Sequence, residues 1–171
     1  MATQIDQARM VTVGKTNLTA EPGKQEIVIT RLFDAARERL FRALTDPALV
    51  QQWCGAPGQV NTLVDQMDVR PGGSWRWRFV NPRDASGGMG LHGIYHTVVP
   101  PERLVYTFEF EGVPGHVLLR TITLRNQNGR TLLTEQSVFQ SMEDRDGMLQ
   151  SGIKEGTVGS WDRLEALLRK R

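Results

Sequence analysis

Residues 151–171 read SGIKEGTVGSWDRLEALLRKR: the second half has the apolar spacing of an amphipathic helix, and the first half carries Gly152, Gly156 and Gly159. An internal glycine weakens a helix by about 0.5–1 kcal/mol relative to alanine, so three in one helix need a reason. Gly152, Gly156 and Ser160 recur at four-residue spacing beside Ile153, Thr157, Trp161, Leu164 and Leu168, which makes one stripe small at its start and bulky at its end. Two explanations fit. Either another backbone packs closely there, or the helix lies across a curved sheet and its small residues leave a space unfilled. The pattern predicts a helix from roughly 153 to 169, preceded by a short one with Ser141 as its cap and Asp144 three residues on; Gly147 and Gly152 mark the bend between them.

What this helix packs against lies upstream. From about 59 to 139 the chain alternates in short segments separated by turn chemistry: PGG at 71–73, NPRDASGG at 81–88, VPPER at 99–103, EGVPG at 111–115 and NQNG at 126–129. Six strands in series result, an antiparallel meander. Asn128-Gly129 is the dipeptide of a two-residue type I′ hairpin, which sets Gln127 opposite Arg130, Leu124 opposite Leu133 and Ile122 opposite Glu135. Before the meander, QEIVITRLF reads as a strand. DAARERLFRAL follows as a helix with Asp34 as cap and Leu40, Phe41 and Leu44 on its apolar face. TDPALVQQW is a second helix with Asp46 at the cap, Pro47 at the first position and Leu49, Val50 and Trp53 buried. Residues 1–24 form a partly flexible extension whose first dozen residues are loosely attached, with RMVTVGKTNLT as an extra edge strand; residues 25–171 form one domain. Strand, two short helices, long antiparallel sheet and C-terminal helix make an α+β fold.

Alternation assigns the faces. Trp75, Trp77 and Phe79 fall together opposite Arg76 and Arg78; Leu104, Tyr106, Phe108 and Phe110 share a face; Leu91, Gly93 and Tyr95 point inward. Leu118, Arg120, Ile122 and Leu124 share a face with Leu133, Glu135 and Phe139. Arg120 and Glu135 are thus a diagonal charged pair on an apolar surface, either a structural ion pair or the polar anchors of a cavity.

Other chemistry finds little support. With 21 basic and 19 acidic residues and no basic tract interleaved with aromatics, nucleic acid is not the expected partner. The single cysteine, Cys54, reads as a small packed group rather than a nucleophile, and no apolar run is long enough for membrane insertion; a cytoplasmic protein is expected. His92 and His96, about 13 Å apart along a strand, do not make a metal pair, and His116 has no carboxylate beside it in sequence. GGMG at 87–90 reads as a loop with no helix after it to hold phosphate. No cofactor and no catalytic residue is assigned.

In EIVITRLFDAARERLFRALTDPALVQQW, DVRPGGSWRWRFV, GLHGIYHTVVPPERLVYTFEF, GRTLLTEQSVF and RDGMLQSGIKEGTVGSWDRLEALL, the chain resembles the family of the activator of heat-shock protein 90 ATPase, within the START-like, helix-grip superfamily abbreviated SRPBCC. These stretches keep family order over about residues 25–169. Two positions depart from the family pattern: Ala36 stands where proline is usual, and Cys54 where a second tryptophan often follows Trp53. The resemblance implies a helix-grip fold: a curved antiparallel sheet wrapped around the long C-terminal helix, two short helices after the first strand, and a cavity between sheet and helix. It implies noncatalytic binding of a hydrophobic or amphipathic small molecule, a lipid among them, and a link to stress responses. Alternatives are a co-chaperone-like interaction module with a chaperone partner, and a cavity enzyme of cyclase or hydrolase type; a homodimer also stays open. The cavity residues expected on this basis are Trp53, Trp75, Trp77, Phe79, Tyr95, Tyr106, Phe108, Arg120, Ile122, Glu135, Gly152, Ile153, Gly156 and Trp161, with no metal ligands.

Overall fold

The structure, a computed structural model, describes residues 9–55 and 59–170. Its elements are β1 (Arg9–Val13), β2 (Thr16–Ala20), β3 (Glu26–Phe33), α1 (Arg37–Thr45), α2 (Pro47–Trp53), β4 (Asn61–Met67), β5 (Ser74–Asn81), β6 (Asp84–Val99), β7 (Arg103–Phe110), β8 (Leu118–Gln127), β9 (Arg130–Val138), α3 (Met142–Gln150) and α4 (Ile153–Arg169). Among the described residues one sheet of nine strands forms, in the order β1-β2-β3-β9-β8-β7-β6-β5-β4, antiparallel at every pairing. The β4–β9 meander therefore returns to pair with β3, while α1 and α2 carry the chain between the two. Register shifts at Val64/Gln66, Phe79/Asn81 and Tyr95/Thr97 sit where a bulge bends and twists the sheet. This is an α+β helix-grip fold, a curved antiparallel sheet around the C-terminal helix.

Local chemistry sets most boundaries. Asn128 (φ 54°) and Gly129 (φ 82°) both take the left-handed conformation that a type I′ turn needs, which fixes Gln127, Leu124 and Ile122 opposite Arg130, Leu133 and Glu135. Asp46 accepts from the Ala48 amide at 3.0 Å with Pro47 at the first turn, and Ser141 accepts from the Asp144 amide at 3.0 Å. Gly152 (φ 85°) turns the chain from α3 into α4.

Three boundaries differ from the sequence reading. Asp34 does not cap α1, which starts at Arg37 behind an extended Ala36 (φ −66°, ψ 150°). The Thr131 hydroxyl donates to the Ala35 carbonyl at 2.7 Å and holds the segment against β9 for a further turn's length. Residues 84–90 are strand, not loop: Asn81 accepts from the Arg83 amide at 2.8 Å and closes the turn at once. Gly88 (φ 114°) then lets β6 pass so close to β5 that a Cβ there would strike the Phe79 carbonyl, so this glycine marks strand contact rather than a turn. The expected edge strand is a hairpin, β1–β2, with β2 pairing β3. The loose attachment expected for the first dozen residues falls largely on residues 1–8, outside those described.

The two faces of the sheet divide as alternation requires. On the outer face Arg76 bonds Glu111 at 2.7 Å and Asp65 at 2.6 Å, and Arg78 bonds Asp65 at 2.7 Å; the Arg76 guanidinium drives the Glu111 carboxyl down to about 2. On the inner face Ile27, Ile29 and Phe33 of β3 join Leu40, Val50, Leu124, Leu133, Trp161 and Leu164 in one apolar core. The bulky half of α4 sits in that core, with the Trp161 ring edge-on to Phe33 at 5.9 Å. Arg31 stands on the same inner face, 2% exposed, and bonds Glu165 at 2.5 Å and Asp162 at 2.7 Å on α4.

Candidate functional site

Beside the slim half of α4 the core gives way to a cavity of about 750 Å³. Its walls are the inner faces of β5–β9, the end of α2, the β7–β8 loop, and the small residues of α4. A Cβ built on Gly156 or Gly159 meets nothing within 4 Å. Of the two explanations for these glycines, close backbone approach therefore fails and open space holds; Gly152, Gly156, Thr157 and Ser160 all face the cavity.

The strand wall is a chain of rings. Trp75 lies 5.0 Å from Trp77, 5.8 Å from Tyr106 at 88° and 5.7 Å from Phe108; Tyr95 is 5.7 Å from Tyr106, and Phe108 meets Phe110 edge-on at 4.9 Å. Edge and tilted contacts of this kind hold ring orientations by about 0.5–1.5 kcal/mol beyond burial. Trp75 is fixed further by donating Nε1 to the Thr107 carbonyl at 3.2 Å. The indole reaches β7 by crossing Gly93, where any Cβ would collide with the Thr107 carbonyl and with Trp75 itself. Inward alternation and one glycine thus build the wall.

Polar groups in the lining are few. Arg120 Nε lies 3.3 Å from Glu135 Oε1 and donates to Ser137 Oγ at 3.1 Å, with its guanidinium 4.6 Å from the centre of the Phe108 ring. Burial works against the Arg120 charge, but Glu135 and the hydrogen-bonded Tyr106 together outweigh it and the guanidinium stays protonated. Burial pushes the Tyr106 phenol up to about 12 and raises Tyr95 as well, so both are neutral donors at ordinary pH. These groups can orient a ligand.

Residues 34–169 match the family described as Activator of Hsp90 ATPase homolog 1-like protein. The chain belongs to this family. Among solved structures, an Activator of Hsp90 ATPase homolog 1-like chain of this shape is similar to a Rhodobacter sphaeroides protein at 26% identity, with 91% of this chain and 98% of that one covered and a TM-score of 0.81. It is also similar to a Chromobacterium violaceum protein at 25% identity, covering 86% and 99%, with a TM-score of 0.74. DynU16, described as a protein in the dynemicin biosynthetic locus, shares the fold at 21% identity and a TM-score of 0.65, with 86% of this chain and 48% of that one covered. No curated protein matches the sequence.

In this family member the structure places Trp53, Trp75, Trp77, Phe79, Tyr95, Tyr106, Phe108, Arg120, Ile122, Glu135, Gly152, Ile153, Gly156 and Trp161 in the cavity lining. Sequence reasoning left out others. Leu91, Leu104 and Phe110 face inward by the same alternation but were not counted with the cavity. Met89 shares the β6 face of Leu91 opposite Phe79, but in a stretch read as loop, while Val113 and Met148 come from a loop and a helix without a clear apolar face and carry no periodic signal. The histidines lie outside the lining: His92 bonds Glu109 and Glu111 at 3.1 and 3.3 Å on the outer face, and His116 bonds Asp144 at 2.8 Å across the loop to α3. Among the described residues no three His, Cys, Asp or Glu side chains gather to hold a metal ion, and no helix is long and apolar enough to cross a membrane.

Cys54 faces the cavity too, and burial pushes its thiol up to about 11 against an ordinary 9.0. At pH 8 its thiolate fraction should fall about 100-fold below that of an unburied cysteine, because each unit is a factor of ten and the thiolate is the reactive form. Iodoacetamide should accordingly label the native protein about 100-fold more slowly than the urea-unfolded chain; equal rates would mean that the thiol is activated after all.

Proposed function

We propose that this chain is a noncatalytic binding domain, residues 25–171 with the β1–β2 hairpin added at one edge, that takes an apolar or amphipathic small molecule into the cavity between sheet and α4. One observation carries the reading: α4 gives up packing and helix propensity along the stripe that faces the open space. A helix evolved only for stability would fill that space, since each buried methylene is worth about 0.8 kcal/mol. Ring faces supply apolar area at about 25 cal/mol per Å² before association costs, and the Arg120–Glu135 pair supplies orientation. The shared fold of DynU16, from a biosynthetic locus, fits a ligand of natural-product type. The cavity is formed within one chain, and its lone thiol suits the reducing cytoplasm.

The test is a thermal-shift screen of lipids, polyketides and aromatic metabolites. A ligand at a free concentration 100 times its Kd stabilises by about 2.7 kcal/mol, which in a chain of this length raises Tm by roughly 5–11 °C. Failure of every compound to shift Tm would remove the proposal. A co-chaperone role rests on the family description alone, and it predicts a change in chaperone ATPase turnover that cavity-blocking variants leave intact.

A further inference from the structure

Arg120 and Glu135 are the only formally charged side chains among the described residues that line the cavity, and they cancel. Glu135 is 8% exposed. Its Oε1 lies against Arg120 Nε, while Oε2 takes no hydrogen bond from the described residues. Arg120 commits Nε to Ser137, lays its guanidinium on Phe108 and bonds the Tyr106 phenol, which leaves the rest of its terminal N–H groups as donors toward the cavity side. An unmet carboxylate oxygen and the guanidinium hydrogens that Tyr106 does not take therefore stand side by side on a largely apolar wall.

Such a couple discriminates by charge. A ligand carboxylate would shed its hydration to reach a guanidinium that Glu135 already neutralises, and would approach a like charge on the way. A ligand ammonium meets the mirror problem at Arg120. An uncharged hydroxyl avoids both costs, because it can donate to Glu135 Oε2 and accept from an Arg120 N–H at once. The tilted ring chain from Trp77 through Trp75 to Phe108 offers ring faces and edges to an aromatic body beside it.

We infer that the cavity selects uncharged, hydroxylated aromatic molecules, with the hydroxyl bridging Glu135 and Arg120, and rejects carboxylates of the same shape. This rests on the cavity-binding reading above and adds the ligand class to it.

Three probes with one ring body separate the two claims: pyrene, pyrenol, and pyrenecarboxylate substituted at the same ring carbon, titrated by fluorescence into the full-length chain at neutral pH. Pyrenol should bind about tenfold or more tighter than either of the others, a difference of about 1.4 kcal/mol or more. Glu135→Gln keeps the shape and removes the negative charge, so the carboxylate should gain about tenfold or more and overtake pyrenol. The wild-type ranking stands by itself if that variant does not fold. Pyrenecarboxylate binding as tightly as pyrenol to the wild type, or three equal affinities, would overturn the charge selection while leaving the cavity a binding site. No binding by any probe would overturn the aromatic class; joined to a blank screen of other compounds, it would take the binding function down as well.

Discussion

Gly156→Phe should bind ligand about 100-fold or more weakly, a loss of about 2.7 kcal/mol, and should melt no lower than the wild type. The side chain leaves a helix position where a Cβ touches nothing within 4 Å and enters the cavity directly. Two effects favour the folded variant: relief of the glycine penalty, about 0.5–1 kcal/mol, and burial of a ring against other rings. Gly156→Ala is the control, expected to gain the helix contribution of up to about 1 kcal/mol while leaving affinity near wild type. Urea melts and titration with any compound from the screen measure both quantities. A drop in stability beyond about 2 kcal/mol for the phenylalanine variant is what overpacking a filled site would cost, and it would mean that the space is not there.

Arg31→Ala should cost about 3–5 kcal/mol, the usual consequence of leaving one member of a buried ion pair alone, and so lower Tm by roughly 6–20 °C. Arg31 bonds Glu165, Asp162 and, at 3.3 Å, the Thr16 hydroxyl, so β2, β3 and α4 meet at one guanidinium. Lys15 reaches Glu165 at 2.9 Å from the tip of the hairpin but is itself largely exposed, and it cannot replace the buried partner. The double variant Arg31→Met with Glu165→Leu should recover most of the loss, since no charge then remains buried. A single-variant cost below about 1 kcal/mol would show the cluster to be solvated in practice.

The same cluster gives an acid signature. Burial pushes the Glu165 carboxyl up, but the hydrogen bonds and charges of Lys15 and Arg31 together outweigh it and hold the carboxyl below its ordinary range. Its contribution is therefore fully present above the unfolded carboxylate's pKa and is lost as pH falls through the lower folded value; Arg31→Ala should flatten that part of the pH–stability curve.

Most of the fold was legible because local rules and the tertiary structure agree: the Asn128-Gly129 turn, the caps at Asp46 and Ser141, and the alternation on β5, β7 and β8. The cavity wall followed from alternation for the same reason. Arg31 was not legible. It sits in an alternating row with Ile27, Ile29 and Phe33, but its carboxylate partners are more than 130 residues away, and one sequence cannot show which carboxylates a buried arginine will meet. Gly88 was misread because a glycine needed for strand contact looks the same in sequence as one needed for a turn. The glycines of α4 left two readings open for a related reason: small residues mark a missing side chain, and only coordinates show whether backbone or emptiness occupies its place.

One helix here carries two jobs in sequence. Residues 161–168 anchor the molecule through Trp161, Leu164 and Leu168, while Gly152, Ile153, Gly156, Thr157 and Ser160 border the cavity. Because those jobs fall on different turns, substitutions in the first half can change chemical preference with little effect on foldedness. Under the proposed binding function, that separation gives descendants of this chain room to drift toward new guests while the anchoring end keeps the architecture intact.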